Sequence, residues 1–394
     1  MQKNIALVLC GCLITLGGYT QSSGMQAALQ SIEQNNRELR AITALNENKR
    51  QQLLSENSLP DPQVDGYFLP FGEHTPGDYY EFEISQSIEF PTVYSTRKKW
   101  VDAQALESEL KLNARRQEIL LQSEQLFIDL IHLRKRTALE QERYEQAKKI
   151  AEQVKVLHQK GQIGLLELNK ANIAWMQVQF KVQHLENEES GLILSLKNMN
   201  GGDELIFTST EYEGDLLLAE KVVLWQEMLT QDPTLRQLAQ RQTVAVQGVK
   251  IAKNQGLPGL KAGYNYQGIP GSNYSGIYAG LTIPLWSNRH NVKAARSDLA
   301  YQEAYTTVET AQALTAFEKS YNSFQLLFSE YKEYRRTMNG LNSEALLLKA
   351  YELGEISFLE YHMELQFFRA AIDTMLLRER DMHQLKAYLQ RHQL

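Results

Sequence analysis

Few residues in this sequence are spaced for chemistry. Glu81 and Glu83 stand two apart in Tyr80-Glu81-Phe82-Glu83-Ile84, so on an extended strand both carboxylates share one face. A general acid/base pair needs carboxylates that converge on a pocket, and no such arrangement is recognisable; a wet strand face accounts for these two. The eight histidines are scattered, and no set of His, Met, Asp or Glu has a defensible metal-ligand spacing. There is no Ser/His/Asp pattern and no Gly-rich phosphate loop. Both cysteines, Cys10 and Cys12, fall in the first 20 residues, so a chain processed there would have no disulfide, thiolate site or Cys nucleophile. The expectation is a protein that is not an enzyme, with no cofactor and no metal site.

The two glutamates belong to a longer alternation. Positions 80, 82, 84, 88 and 90 are apolar, while 81, 83, 85, 87 and 89 are polar, and Pro91 closes the run. A period of two predicts a strand with one apolar and one wet face. Gly276-Ile277-Tyr278-Ala279-Gly280-Leu281-Thr282-Ile283-Pro284 alternates too and also ends at a proline. Each run has a strand partner upstream, at Gln63–Leu69 and at Leu260–Gln267, which gives two hairpins. The turn of the second is expected over Gly268–Ser275.

Helices must carry these hairpins. Eight of the nine prolines lie in 60–91 and 258–284; the exception is Pro233. The Pro-free stretches between permit long helices. Residues 24–57 predict one helix and Thr96–Gln159 a second, with Leu112, Ile119, Leu126 and Leu133 seven apart as in side-by-side helix packing. Gly161-Gln162-Ile163-Gly164 breaks that run, and Leu165–Met199 is expected to fold back. Residues 203–222 predict a short strand or an irregular segment. A helix over 223–254 follows, then the second hairpin, a long helix over 288–353, a break at Gly354-Glu355-Ile356-Ser357, and a return helix from Phe358.

The two halves echo each other. Gly161-Gln162-Ile163-Gly164-Leu165-Leu166-Glu167-Leu168 aligns with Gly354-Glu355-Ile356-Ser357-Phe358-Leu359-Glu360-Tyr361, at the same offset as Pro91 and Pro284. One module, helix–hairpin–long helix–turn–helix, is expected twice: 24–222 with hairpin 60–91 and turn 160–166, and 223–394 with hairpin 258–285 and turn 353–359. The fold class is mainly α with a small β part.

Composition narrows the setting. The net charge is -6 with no Lys/Arg block, which gives no reason to expect nucleic acid. Lys3, an apolar run from Ile5 to Leu16, then Gly17-Gly18-Tyr19-Thr20 predict a signal peptide over 1–20. Leu9-Cys10-Gly11-Cys12 also resembles a lipoprotein cleavage site, and lipid on Cys12 would add an anchor. No later segment is apolar for 18 residues, so any crossing of a membrane must use strands. Strands of this length suffice when tilted. Tyr80, Phe82 and Ile84 would face lipid, and Glu81, Glu83, Glu89, Tyr278 and Thr282 would face a lumen. Four strands cannot close a barrel, whereas three chains would supply twelve. The plain alternative is a pair of hairpins packed on helices in the periplasm.

This layout resembles the TolC-like outer-membrane efflux protein family. The resemblance is carried by Leu257-Pro258-Gly259-Leu260-Lys261-Ala262-Gly263-Tyr264, by Gly280-Leu281-Thr282-Ile283-Pro284-Leu285-Trp286 and by the turn over 354–360. Ser85-Gln86-Ser87-Ile88-Glu89-Phe90-Pro91 also resembles its heavy-metal branch, the CusC- or CzcC-like proteins. The resemblance implies a homotrimer in the cell outer membrane, with a 12-stranded barrel continued by a periplasmic α-helical barrel. Its tip turns, at Gly161, Ile163, Leu166 and Glu167 and at Gly354, Ile356 and Leu359, would dock a periplasmic adaptor and through it an inner-membrane pump, the RND type being one candidate. Tyr351 and Glu360 stand where the family places a linking Tyr and the first gate acid. Met363 occupies the position of the second acid, and Ile356 that of a linking Arg. The expected function is an exit duct for efflux. A type I secretion duct and a periplasmic coiled-coil scaffold without a pore remain the alternatives.

Overall fold

The computed structural model describes residues 24–70, 78–286, 288–339 and 343–394. The expected signal peptide with Cys10 and Cys12, and the loop of the first hairpin around Gly72 and Pro76, lie outside the described residues.

Helices α1 (Met25–Asn35) and α2 (Arg37–Ser55) lead to strands β1 (Gln63–Leu69) and β2 (Tyr79–Ile88). Helix α3 (Pro91–Gln159) and helix α4 (Leu165–Met199) follow. Then come α5 (Lys221–Gln231), α6 (Pro233–Asn254), β3 (Gly259–Ile269) and β4 (Ser272–Thr282). Helices α7 (Asn291–Met338), α8 (Ser343–Glu352) and α9 (Phe358–Leu389) complete the chain, with a short turn at Arg391–Gln393. The segment 203–220 is irregular, yet it is pinned: Phe207 packs on Phe127 with ring centroids 4.6 Å apart, and Tyr212 stacks on His383 at 4.0 Å.

Helix α3 has 69 residues, roughly 100 Å at 1.5 Å per residue. It starts five residues earlier than the sequence pattern indicated. Pro91 does not merely end the strand; it occupies the first turn of the helix, where its missing N–H costs nothing. Two expected single helices are pairs. The first breaks at Asn36, whose side chain accepts the Leu39 N–H at 3.0 Å and donates to the Met199 carbonyl at 2.8 Å. The second breaks at Asp232, whose carboxylate accepts the Thr234 N–H at 2.9 Å ahead of Pro233. In both places a side-chain cap starts a new helix in mid-run. The long helix expected over 288–353 is described as α7 and α8, with 340–342 outside the described residues.

The four strands form one antiparallel sheet in the order β1-β2-β3-β4. The second hairpin turn is tighter than expected. Strands continue to Ile269 and resume at Ser272, leaving only Pro270-Gly271, with Gly271 at φ 90°. Proline followed by a positive-φ glycine suits a two-residue turn, and the polar residues beside it pair as strand.

Long helices pack along one another below the sheet. At mid-height Ile32, Phe127, Leu130, Ile131, Leu196 and Phe207 form one core. Leu224, Met228, Phe317, Phe324, Met382 and Leu389 form another. The C-terminal turn is bolted across this waist. Arg391 pairs with the fully buried Asp232 at 3.1 Å, the Gln117 side chain donates to the Arg391 carbonyl at 2.9 Å, and Arg116 donates to the Leu394 carbonyl. Asp232→Ala removes a helix cap and strands a mostly buried guanidinium, so it should cost about 3 kcal/mol. Asp232→Asn keeps the cap and should cost less. Urea unfolding midpoints of the two variants check the order.

Candidate functional site

The sheet sorts its side chains as the alternation demanded, because directly paired residues in an antiparallel ladder share a face. Val64, Ile84, Tyr264 and Ile277 lie in one row, and Phe82 pairs Tyr266 in the next. This apolar face is bare: Ile277 is 90% exposed and Tyr80, Phe82 and Ile84 are all exposed. The opposite face is a hydrogen-bonded polar layer. Glu81 accepts from the Tyr79 hydroxyl at 2.8 Å, from Asn265 at 2.5 Å and from Gln267 at 3.2 Å. Glu83 accepts from Lys261 Nζ at 3.0 Å and from the Tyr278 hydroxyl. Tyr278 reaches Glu83 by crossing Gly263, where a Cβ would lie 2.7 Å from the hydroxyl.

The two remaining lumen candidates sit at the margin. Strand β2 ends at Ile88, so Glu89 lies in the junction to α3 rather than on the strand as expected. Its N–H goes to the Tyr94 hydroxyl at 3.1 Å instead of the ladder, and its carboxylate pairs with Arg97 at 2.5 Å. Thr282 is the exposed last residue of β4, opposite Gly259.

At the far end of the helices the two turns share one geometry. Gly161 has φ 73° and Gly354 φ 72°. The Gln162 N–H donates to the Leu157 carbonyl at 3.0 Å and the Glu355 N–H to the Ala350 carbonyl at 2.9 Å, each beside a bond from the glycine itself. This paired closure caps a helix C-terminus with a left-handed residue, which favours glycine. Ile163 and Ile356 then turn inward onto a core of Ile150, Val154, Ala171, Phe358, Tyr361 and Leu365. A cleft of ≈ 960 Å³ opens between the turns, lined among others by Ile163, Glu167, Tyr351, Gly354 and Ile356.

The proposed gate residues divide within this tip. Tyr351 is packed, with its ring 5.2 Å from Tyr361 and 6.2 Å from Phe358; burial, then the charge of Glu167, pushes its phenol up. Glu360 completes a capping box: its carboxylate accepts the Ser357 N–H at 2.8 Å, and its own N–H donates to the Ser357 hydroxyl at 3.2 Å. Those bonds hold the Glu360 carboxyl below the usual range. Met363 is 64% exposed, and Leu166 and Leu359 are also exposed.

Midway between waist and tip lies a charge cluster that sequence reasoning missed. Arg143, 2% exposed, pairs with Glu140 at 2.5 Å and Asp373 at 2.8 Å; Lys181 pairs with the same two acids at 2.6 and 3.1 Å. The four residues join α3, α4 and α9. Burial would raise the Asp373 carboxyl, but the Arg143 and Lys181 charges outweigh it and hold it low. Nothing in a helical Glu-x-x-Arg marks it as buried, since that spacing is also common on surfaces. The partners of Glu81 and Glu83 were missed for another reason. Lys261, Asn265 and Gln267 alternate with apolar residues along 260–267, but no local pattern gives the β2–β3 register that brings them to Glu81 and Glu83. Among the described residues no group of three or more His, Cys, Asp or Glu side chains could hold a metal ion.

No protein-family model matches the sequence, and no curated protein matches it. Solved structures do. CusC is 14% identical over 93% of this chain and 91% of that one, with a TM-score of 0.76. A membrane protein from Pseudomonas aeruginosa is 15% identical over 93% and 89%, with a TM-score of 0.78. The Campylobacter jejuni CmeC outer membrane channel is 16% identical over 93% and 85%, with a TM-score of 0.71. Likeness at such identities is one of fold. The chain has the fold of the TolC-like outer-membrane channels.

Two outcomes follow for the helical part. Asp373→Ala leaves the buried Arg143 with half its pairing and should destabilise by about 3 kcal/mol, measured as a lower thermal midpoint; an unchanged midpoint would show the cluster to be idle. Burial, then nearby cations, pushes His132 and His383 down to about 4. The unfolded chain titrates them near 6.5, so it binds more protons between those values. Stability is full above about pH 6.5 and should fall as pH drops toward 4, by at most ~1.4 kcal/mol per pH unit for each histidine. Unfolding midpoints from pH 7 to 5 check this, and His383→Phe should flatten the slope.

Proposed function

We propose that this protein is the outer-membrane exit duct of a tripartite efflux system. Three copies join their sheets edge to edge into a twelve-stranded barrel, and their long helices continue it across the periplasm as a tunnel. The observation that carries this reading is the sheet itself: one face bare and apolar, the other polar with Glu81 and Glu83 hydrogen-bonded to neighbouring strands, and no strand beyond β1 or β4 among the described residues. In lipid such edges must be paired, because each open backbone group costs several kcal/mol. Repetition of one module in residues 24–222 and 223–394 gives each copy two hairpins and two tips.

Helix surfaces support assembly with further copies. Leu166, Ile173 and Phe180 stand seven apart on α4 and are all exposed. Leu359, Met363 and Phe367 recur every four residues on α9, also exposed. Such rows suit coiled-coil contact. The turns at Gly161 and Gly354, with the cleft between them, are the docking points for a periplasmic adaptor, which links the duct to an inner-membrane pump. The duct is passive. It would be exported by the N-terminal leader, and its gate involves Glu360 with Tyr351 and Met363 near the second turn.

Planar-bilayer recording of the detergent-extracted protein tests the reading. Discrete channels and a heat-modifiable trimer are expected; a species soluble without detergent that forms no channel would leave a periplasmic scaffold. Glu360→Gln separates charge from structure. Gln keeps the capping box, so an altered current in Glu360→Gln assigns the gate to charge, whereas a change seen only in Glu360→Ala assigns it to the cap.

A further inference from the structure

The polar face of the sheet carries four charged side chains, and the structure does not treat them alike. Glu83 meets Lys261 at 3.0 Å, and Lys261 also lies 5.6 Å from the centre of the Tyr278 ring. That carboxylate is neutralised by a cation fixed on the neighbouring strand. Glu81, two residues away on the same face, accepts three hydrogen bonds, all from uncharged donors: Tyr79, Asn265 and Gln267. Its charge is held in place and left uncompensated. Asp65 lies directly across from Glu83 on β1, exposed and with no cationic partner among the described residues.

We infer that Glu81, with Asp65 beside it, sets a cation preference inside the barrel, and that the Glu83–Lys261 pair is electrically silent. The inference rests on the duct reading, in which this face lines the lumen. Hydrogen bonding from three neutral groups matters for two reasons. It stops the carboxylate swinging toward Lys261, and it fixes one negative charge at the same depth in every copy. Three copies then present a ring. Twelve strands spaced by about 4.8 Å and tilted by about 40° enclose a backbone radius of roughly 12 Å. The Debye length is about 10 Å at 0.1 M salt and about 3 Å at 1 M. A ring on that wall therefore reaches most of the lumen in dilute salt and very little of it in concentrated salt. The selected class is small cations; the work is electrostatic, not coordination, since neither Glu81 nor Asp65 is part of a metal-ligand group.

Reversal potentials in a KCl gradient around 0.1 M test this on the whole protein in planar bilayers. The unmodified channel should favour K⁺ over Cl⁻. Glu81→Gln keeps the amide-type hydrogen bonding and removes the charge, so the permeability ratio should fall about twofold toward unity, and Asp65→Asn should move it the same way. Lys261→Gln frees Glu83 and should raise the ratio instead. The double variant Glu83→Gln/Lys261→Gln should leave it where it was. All shifts should shrink at 1 M KCl. Channels whose ratio ignores Glu81→Gln and Lys261→Gln, or moves with the double variant as much as with Glu81→Gln, would overturn the inference while the duct stands. A protein that forms no channel at all would overturn the duct reading and this inference with it.

Discussion

Two sheet edges without a partner strand among the described residues are the constraint on which the rest of this molecule turns. A four-stranded antiparallel sheet that packed on helices would hide its apolar face there and leave a wet face to solvent. Here the apolar residues are the exposed ones: Val64, Phe82, Ile84 and Ile277 stand clear of the chain's own helices. Meanwhile the charged groups of the polar side are hydrogen-bonded within the sheet, with Glu81 and Glu83 bonded across three strands. A sheet in this condition is half of a structure. The closed barrel in a bilayer proposed above would pair both edges and give the apolar face an apolar medium at once. The apolar clusters that the chain buries by itself lie in the helical part, at the waist and the tip.

The fold was legible wherever one short-range rule governed it. Period two in 80–88 and 276–282 assigned faces that the ladder then reproduced, because the side-chain alternation of a strand is rigid. Glycines 161 and 354 marked the tips, since a positive φ at a helix end leaves few other choices. The departures came where a cap outweighed a periodic pattern. Asn36 and Asp232 each satisfy the free N–H groups of a new first turn, so an apolar period that ran on through them did not mean one helix. At Pro270-Gly271 a cluster of turn-forming residues suggested a long loop, but Asn273, Ser275 and Gly276 pair in the sheet all the same; composition marks a loop only when no partner strand is at hand.

Site chemistry was legible in kind and not in pairing. That Glu81 and Glu83 occupy a wet face follows from their spacing alone. Which of them meets a cation depends on a β2–β3 register set by residues about 180 positions apart, and no local pattern encodes that. The Arg143 cluster shows the same limit in a helix. Its residues look like a solvated face until α4 and α9 close over them, and only then does an ordinary Glu140-x-x-Arg143 become a buried pair sharing two further charges.

At both ends of the molecule the carboxylates to which the proposals above give an electrostatic role are also tied into the backbone or its neighbours. Glu360 secures the first turn of α9; Glu81 draws β2 and β3 together through Asn265 and Gln267. Loss of function on deleting such a residue therefore mixes two effects. The chemistry of the bonds separates them. Every hydrogen bond to these acids comes from an uncharged donor; an amide oxygen accepts those from Asn265, Gln267 and the Ser357 N–H as a carboxylate does, and the Tyr79 hydroxyl on the other Glu81 oxygen can accept from the amide N–H instead. An amide in either place preserves geometry and removes only the field. Charge-assisted pairs such as Glu83–Lys261 and Arg143–Asp373 lack this separability, because there the bond and the charge are the same interaction. The structure thus distinguishes acids whose charge is free to act on the solution from acids whose charge is already spent on the fold.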